Sequence, residues 1–209
     1  PRFLLFGRGR SGTTALVSML DAVPALRCEG EVLHNAVPFP RRHVLGRCAR
    51  ADTDGYGCKI LSYQIQSVQS PREPRTDFLR RLHEKHGFQL LYLRRTNLLR
   101  HALSNIRARM EGFHRKKSDA DTERPAIHVD PQNVVQWMRD SEALKDYEQE
   151  LLAGLPFLSL TYEEHIRDPS IHQITVDKIC EFLGVPSAPV ESSYRKVAPP
   201  SLRDGVANY

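Results

Sequence analysis

The sequence predicts a three-layer α/β protein, with a central, mainly parallel sheet flanked by helices, and three observations lead there. Four short apolar runs are nearly continuous rather than alternating, as in strands buried on both faces. Segments of helical periodicity separate these runs. A glycine-bearing turn, FGRGRSGTT from Phe6 to Thr14, joins the first run to the first helical segment.

Taken in chain order, Arg2–Phe6 is the first strand and Thr13–Ala22 the helix that follows it. Glu31–Asp54, broken by Pro38 and Pro40 and carrying several arginines, reads as a long loop beside the sheet. Gly57–Leu61 is the second strand. The helix Thr76–His86 stops at Gly87, a C-terminal glycine signal. Phe88–Leu93 is the third strand and leads into the helix Leu98–Met110. The charged stretch Glu111–His128 lacks a helical period and is either a lid over a site or a surface loop. Asp130 and Pro131 have the types expected for the cap and first position of a long helix. Val134, Met138, Leu144, Tyr147 and Leu151 recur along it as a core face. Phe157–Thr161 is the fourth strand, and a last helix, Ile171–Leu183, ends at Gly184.

The length, 209 residues, fits a single domain spanning 1–209, with 40% hydrophobic and 26% charged residues as in globular chains that bury a core. No apolar run is long enough to span a bilayer and no signal-peptide pattern opens the chain, so the expected location is cytoplasmic. The start at Pro1, almost directly into an apolar run, leaves open a preceding anchor or leader. Cys28, Cys48, Cys58 and Cys180 form no CxxC pair, and the histidines do not complete a zinc spacing with them. Free thiols are expected, with a Cys28–Cys48 bridge left open. The net charge is +5 and arginine outnumbers lysine, which favours planar oxyanion partners.

The turn itself narrows the chemistry. Gly7 and Gly12 stand five residues apart, the outline of a phosphate-binding loop, which makes the predicted fold P-loop-like. In loops that bind nucleoside triphosphates a lysine follows the second glycine and reaches the terminal phosphates. Thr13 stands there instead and cannot make that reach. A neighbouring strand that would end in an acidic metal partner ends here in Arg94-Arg95, which repel a metal and attract an anion. Arg10, inside the loop, supplies a fixed cation. Ser104, nine residues beyond Arg95, can converge with it on a second anion. The residue types point to a nucleotide held without a metal, whose far end carries less charge than a triphosphate.

RSGTT at Arg10–Thr14, followed by YLRRTNLLRHALS at Tyr92–Ser104, resembles the sulfotransferases that use 3′-phosphoadenosine 5′-phosphosulfate (PAPS). LTYEEHIRDP at Leu160–Pro169, FLGVP at Phe182–Pro186 and LRDGVANY at Leu202–Tyr209 extend the resemblance over nearly the whole chain. It is strongest to the bacterial branch that contains the Nod-factor and trehalose sulfotransferases. The resemblance implies PAPS as sulfuryl donor, no metal, and a hydroxyl of a carbohydrate, glycolipid or other small molecule as acceptor. It further implies that Arg8, Gly9, Arg10, Ser11, Gly12, Thr13 and Thr14 hold the 5′-phosphosulfate, and that Arg95 and Ser104 hold the 3′-phosphate. Many relatives place that arginine and serine eight residues apart, against nine here, so Arg94 and Arg95 are both candidates for the main contact. Arg195 and Lys196 are further candidates for the 3′-phosphate.

Transfer to a hydroxyl needs a base and a group that steadies the leaving oxygen. Arg10 fits the second role. Glu31 lies where relatives of the trehalose enzyme carry a glutamate base, with His34 and Glu29 as neighbours able to take its place. Lys59, inside the second strand, either reaches the site or extends its ammonium to solvent. Tyr63 and Gln64 can line an acceptor pocket, and Trp137 reads as edge packing on the long helix. Two other functions compete. A nucleotide kinase would need lysine at Thr13 and an acidic metal partner. A polyanion-binding module would need stacking aromatics among its arginines, and the scattered arginines here have none, so nucleic acid is not an expected partner.

Overall fold

A computed structural model describes residues 1–70, 74–111, 125–190 and 201–209. The strands are β1 (Arg2–Gly7), β2 (Leu26–Glu31), β3 (Gly55–Leu61), β4 (Phe88–Arg94) and β5 (Phe157–Thr161). They form one sheet in the order β2-β3-β1-β4-β5, with every pairing parallel. The longer helices are α1 (Thr13–Asp21), α2 (Pro40–Cys48), α3 (Asp77–His86), α4 (Leu98–Glu111), α5 (Pro131–Leu152) and α7 (His172–Leu183). Two single turns, α6 (Tyr162–His165) and α8 (Leu202–Gly205), complete the set. No helix among the described residues is long and apolar enough to cross a membrane.

The pleat of β1 explains the three layers. Successive side chains point to opposite faces, so Phe3 and Leu5 enter one core and Leu4 and Phe6 the other, all fully buried. The first core is closed by Leu16, Met19 and Leu20 of α1 and by Val176, Ile179 and Leu183 of α7. The second is closed by Val44 of α2, Phe78, Leu79 and Leu82 of α3, and Leu151 and Leu152 of α5. A smaller cluster joins Ala102 of α4, Val134 of α5 and Val206 after α8. Arg107 anchors that corner by donating to the carbonyls of Gly205 at 2.8 Å and Pro125 at 3.0 Å.

The α/β class holds, and the mainly parallel sheet is entirely parallel. The caps follow the sequence signals: Asp130 accepts from Gln132 N at 2.9 Å, and Gly87 and Gly184 end their helices at φ 68° and 71°. Three features differ from expectation. Glu31–Asp54 is not all loop, because α2 lies within it and β2 ends at its first residue. β5 sits at the sheet edge, so its first three residues are partly exposed rather than buried on both faces. The buried seam of α5 includes Ser141 and Glu148, which a purely apolar stripe leaves out. All four cysteines are free; Cys28 packs under α1, whereas Cys48 ends α2 on the opposite face.

The register fixes where chemistry can gather. Gly7 pairs with both Leu61 and Leu93, so β1, β3 and β4 end level. The chain leaves β1 between two strands reached by opposite crossovers, the switch point at which α/β sheets open a crevice.

Candidate functional site

The loop after β1 is shaped by close approach and by its own carbonyl partners. A Cβ on Gly7 would lie 2.1 Å from the Leu93 carbonyl oxygen, so only glycine lets β1 and β4 run so close there. At Gly12, φ 87°, a Cβ would meet Ile166 Cγ2 at 2.7 Å and Tyr162 Cδ2 at 2.9 Å. Arg10 between them also has positive φ, 64°. Three successive carbonyls are each taken by a side chain. Ser11 Oγ donates to Arg8 O, His101 Nε2 bonds Gly9 O at 2.7 Å, and Arg95 Nη1 donates to Arg10 O at 3.3 Å. With these peptides trans, each following N–H points opposite its carbonyl, so the amides of Gly9, Arg10 and Ser11 turn away from these partners. The first amides of α1 add to them, since Gly12 offers no side-chain cap and a helix start leaves its amides open. This is a concave row of donors at the positive end of a helix, able to hold an oxyanion.

Beside this row lies a guanidinium site. Arg95, only 7% exposed, stacks its guanidinium 4.4 Å from the centre of the Tyr162 ring. Its Nε is 3.9 Å from Glu163 Oε1, beyond a hydrogen bond. The Nε atoms of Arg94 and Arg95 are both buried and donate to no acceptor among the described residues. Glu163 is occupied elsewhere: its oxygens accept from Thr96 N at 3.0 Å and Asn97 N at 3.1 Å, just ahead of α4. Burial would raise the Glu163 carboxyl, but those amide bonds hold it below its ordinary range. Ser104 lies half-buried on α4, one turn beyond His101.

On the other side of the loop, a β-bulge aims Glu31. Glu29 pairs with Cys58 and Glu31 with Lys59, so Gly30 is the extra residue. Because of that extra residue, Glu31 shares a face with Lys59 rather than with Glu29. Lys59 Nζ, on a side chain 5% exposed, sits 3.0 Å from Glu31 Oε1 and 3.2 Å from Thr14 Oγ1 at the head of α1. Gln64 Nε2 donates to Glu31 Oε2 at 2.8 Å, and Tyr63 OH reaches it at 3.5 Å. His34 Nδ1 stands 3.8 Å from Glu31 Oε2, its ring mostly exposed. The lysine therefore links the acidic residue to the head of α1 and does not extend to solvent.

The structure thus brings together Thr14, Glu31, His34, Lys59, Tyr63 and Gln64. Glu29 is drawn to the opposite face, where it accepts from Arg47 Nε at 2.7 Å and Tyr56 OH at 3.1 Å. Only the backbone of Arg8 serves the loop. Its guanidinium turns into the core, 3.5 Å from Glu148 Oε2 and bonded to Ser141. Thr13 and Ser11 are buried in the loop and the first turn of α1. Trp137 packs edge-on to His101, ring centres 4.8 Å apart. Lys196 and Arg195 lie outside the described residues, as does most of the charged stretch after α4.

His101, Tyr162, Glu163 and Glu148 were missed as site builders. Tyr162 and Glu163 directly follow a parallel strand, which is the one signal that pointed to them. Glu148, fully buried, collects Ser62 Oγ and Tyr92 OH at 2.7 Å each. It ties the ends of β3 and β4 to α5.

No family model matches the chain, and no curated protein matches it in sequence. Among solved structures, the chain is similar to the crystal structure of a sulfotransferase from Alicyclobacillus acidocaldarius. The TM-score is 0.56 at 15% sequence identity, over 95% of this chain and 87% of that one. The chain has the fold of that sulfotransferase: a central parallel sheet flanked by helices.

Proposed function

We propose that the protein is a PAPS-dependent sulfotransferase. It moves a sulfuryl group to a hydroxyl of a carbohydrate, glycolipid or other small molecule, without a metal. The observation that carries this reading is the end of β4. Two arginines stand beside a lysine-free loop, and their buried Nε donors meet no acceptor among the described residues. Burial lowers the pKa of Arg95, an unfavourable setting for a cation that a bound phosphate would offset. A triphosphate with magnesium does not suit a loop flanked this way, whereas a phosphosulfate with a separate 3′-phosphate does.

The donor is a substrate, and this chain's residues divide the work on it. The loop amides and Thr13 and Thr14 bind the phosphosulfate. Arg95 and Ser104, with Arg94 as neighbour, take the 3′-phosphate. Arg10 steadies the charge that builds on the bridging oxygen as its bond to sulfur breaks. Glu31 accepts the acceptor's hydroxyl proton as the new sulfur–oxygen bond forms. Adenosine 3′,5′-bisphosphate then leaves, and the acceptor carries the sulfate ester. Glu31 keeps a lone pair on Oε1 for that proton, since Lys59 takes one site there while Gln64 and Tyr63 take those on Oε2.

The test compares adenosine 3′,5′-bisphosphate with adenosine 5′-phosphate on Arg95→Ala and Ser104→Ala. Ser104→Ala should remove about 1.5–3 kcal/mol of binding that only the bisphosphate enjoys, and Arg95→Ala should cost the bisphosphate more than the 5′-phosphate, which shares only the loss of the Arg10 carbonyl's partner. Equal losses for both nucleotides would remove the 3′-phosphate from this site and the reading with it.

A further inference from the structure

We infer that His101 is a positioning residue for the oxyanion loop: it holds the Gly9 carbonyl against α4 and so turns the Arg10 amide toward the bound oxyanion. The inference rests on the sulfotransferase reading and adds a group that neither the loop motif nor the resemblance assigns. His101 is completely buried, a costly place for an imidazole unless the ring serves a partner. Its Nε2 is 2.7 Å from the carbonyl oxygen of Gly9, and a carbonyl can only accept, so Nε2 carries the hydrogen. Nδ1 is then a lone pair, and it meets no donor among the described residues.

The surroundings keep the ring in that form. Burial, followed by the positive charges of Arg8 and Arg95, outweighs the opposing bond to Gly9 and pushes the imidazole down to about 3. The ring plane is fixed by the edge-on contact with Trp137 of α5, at 4.8 Å. The ring thus makes a neutral, oriented donor between α4 and α5, reaching across to the loop. Gly9 is the residue that needs one. It lies beside Arg10, whose positive φ has no glycine to ease it, and a peptide free to flip there would present its carbonyl, not its amide, to an anion. The carbonyls on either side are held by Ser11 and Arg95, so without His101 the middle peptide alone would be loose.

The experiment measures binding of adenosine 3′,5′-bisphosphate and adenosine 5′-phosphate to the wild type, His101→Phe and His101→Gln. Phenylalanine keeps a ring against Trp137 but cannot donate; glutamine keeps an N–H donor. His101→Phe should weaken both nucleotides by the same factor, about tenfold, because the loop serves the 5′ group they share. His101→Gln should recover most of that loss, which lost packing alone would not allow. Circular dichroism and thermal melting establish that both variants are folded, and imidazole nitrogen shifts in the wild type should report hydrogen on Nε2. Wild-type binding with His101→Phe equally tight, or a loss confined to the 3′-phosphate, overturns the role of His101. Failure of His101→Gln to recover any affinity does the same. Failure of the wild type to bind either nucleotide overturns the sulfotransferase reading itself and takes this inference with it.

Discussion

Arg10 has φ 64°, a conformation that costs a side chain about 1–3 kcal/mol and persists only where the surroundings impose it. Arg95 supplies part of that imposition by binding the Arg10 carbonyl. Arg10→Gly should therefore leave stability in urea unchanged or raise it by up to about 1 kcal/mol. The same variant should slow sulfuryl transfer with every acceptor, since it removes the cation proposed to steady the leaving oxygen. A clear loss of stability would instead make Arg10 a structural residue. Glu31→Gln separates the proposed base from the proposed donor site. Turnover should fall about 10²–10⁴-fold, while affinity for adenosine 3′,5′-bisphosphate stays within a few fold of wild type. Should His34→Ala lose turnover while Glu31→Gln keeps it, the proton goes to the histidine. His101 also leaves a mark on stability against pH. Its folded pKa, about 3, lies below its ordinary 6.5, so the unfolded chain binds the extra proton between those values. Its contribution is present above pH 6.5 and is lost as pH falls toward 3. The difference between wild type and His101→Gln in acid titrations should carry that slope; parallel curves would mean that the buried imidazole takes a proton without hindrance.

At the level of elements, the bulge in β2 does more than bend an edge strand. Deleting Gly30 restores an unbroken register with β3: Glu31 then follows Glu29 directly, points to the opposite face and still stands against Lys59. Turnover and nucleotide binding should both be largely retained in that variant. A loss of turnover as deep as that of Glu31→Gln would show that Glu31 needs the bulge itself and not only its pairing with Lys59. This strand also marks how far the sequence is legible. β1, β3, β4 and β5 each carry a concentrated apolar run, the pattern of a strand read one segment at a time. LRCEGE has no such run, because it is an edge strand with one face toward α1 and polar partners on the other. The helix α2, PRRHVLGRC, buries only Pro40 and Val44 and has no stripe to read. Lys59 was ambiguous for a related reason. Its meaning depends on what stands opposite, and Glu31 comes opposite only through a bulge that local pattern does not encode. Arg8 belongs with it, since its buried partners Ser141 and Glu148 lie far along the chain on α5.

Across the whole molecule, the order β2-β3-β1-β4-β5 explains why so many separated residues meet. The loop after β1 opens between β3 and β4, Lys59 comes from one side, and Arg94 and Arg95 from the other. β5 then brings Tyr162 and Glu163 against Arg95, and β2 brings Glu31 to Lys59. Glu31 was singled out only by the resemblance, whereas the loop and the arginine pair were readable because each is a local signal. Their mutual geometry was not, since it is set by strand order. The central claim is that this switch point is built for a nucleotide bearing a 3′-phosphate and needs no metal to hold it. Titration calorimetry with adenosine 3′,5′-bisphosphate in EDTA, beside ATP with magnesium, tests that claim most directly. Tight binding of the bisphosphate in EDTA, with ATP much weaker whether or not magnesium is present, is the predicted result. Binding of ATP that is tighter than that of the bisphosphate and depends on magnesium would contradict it.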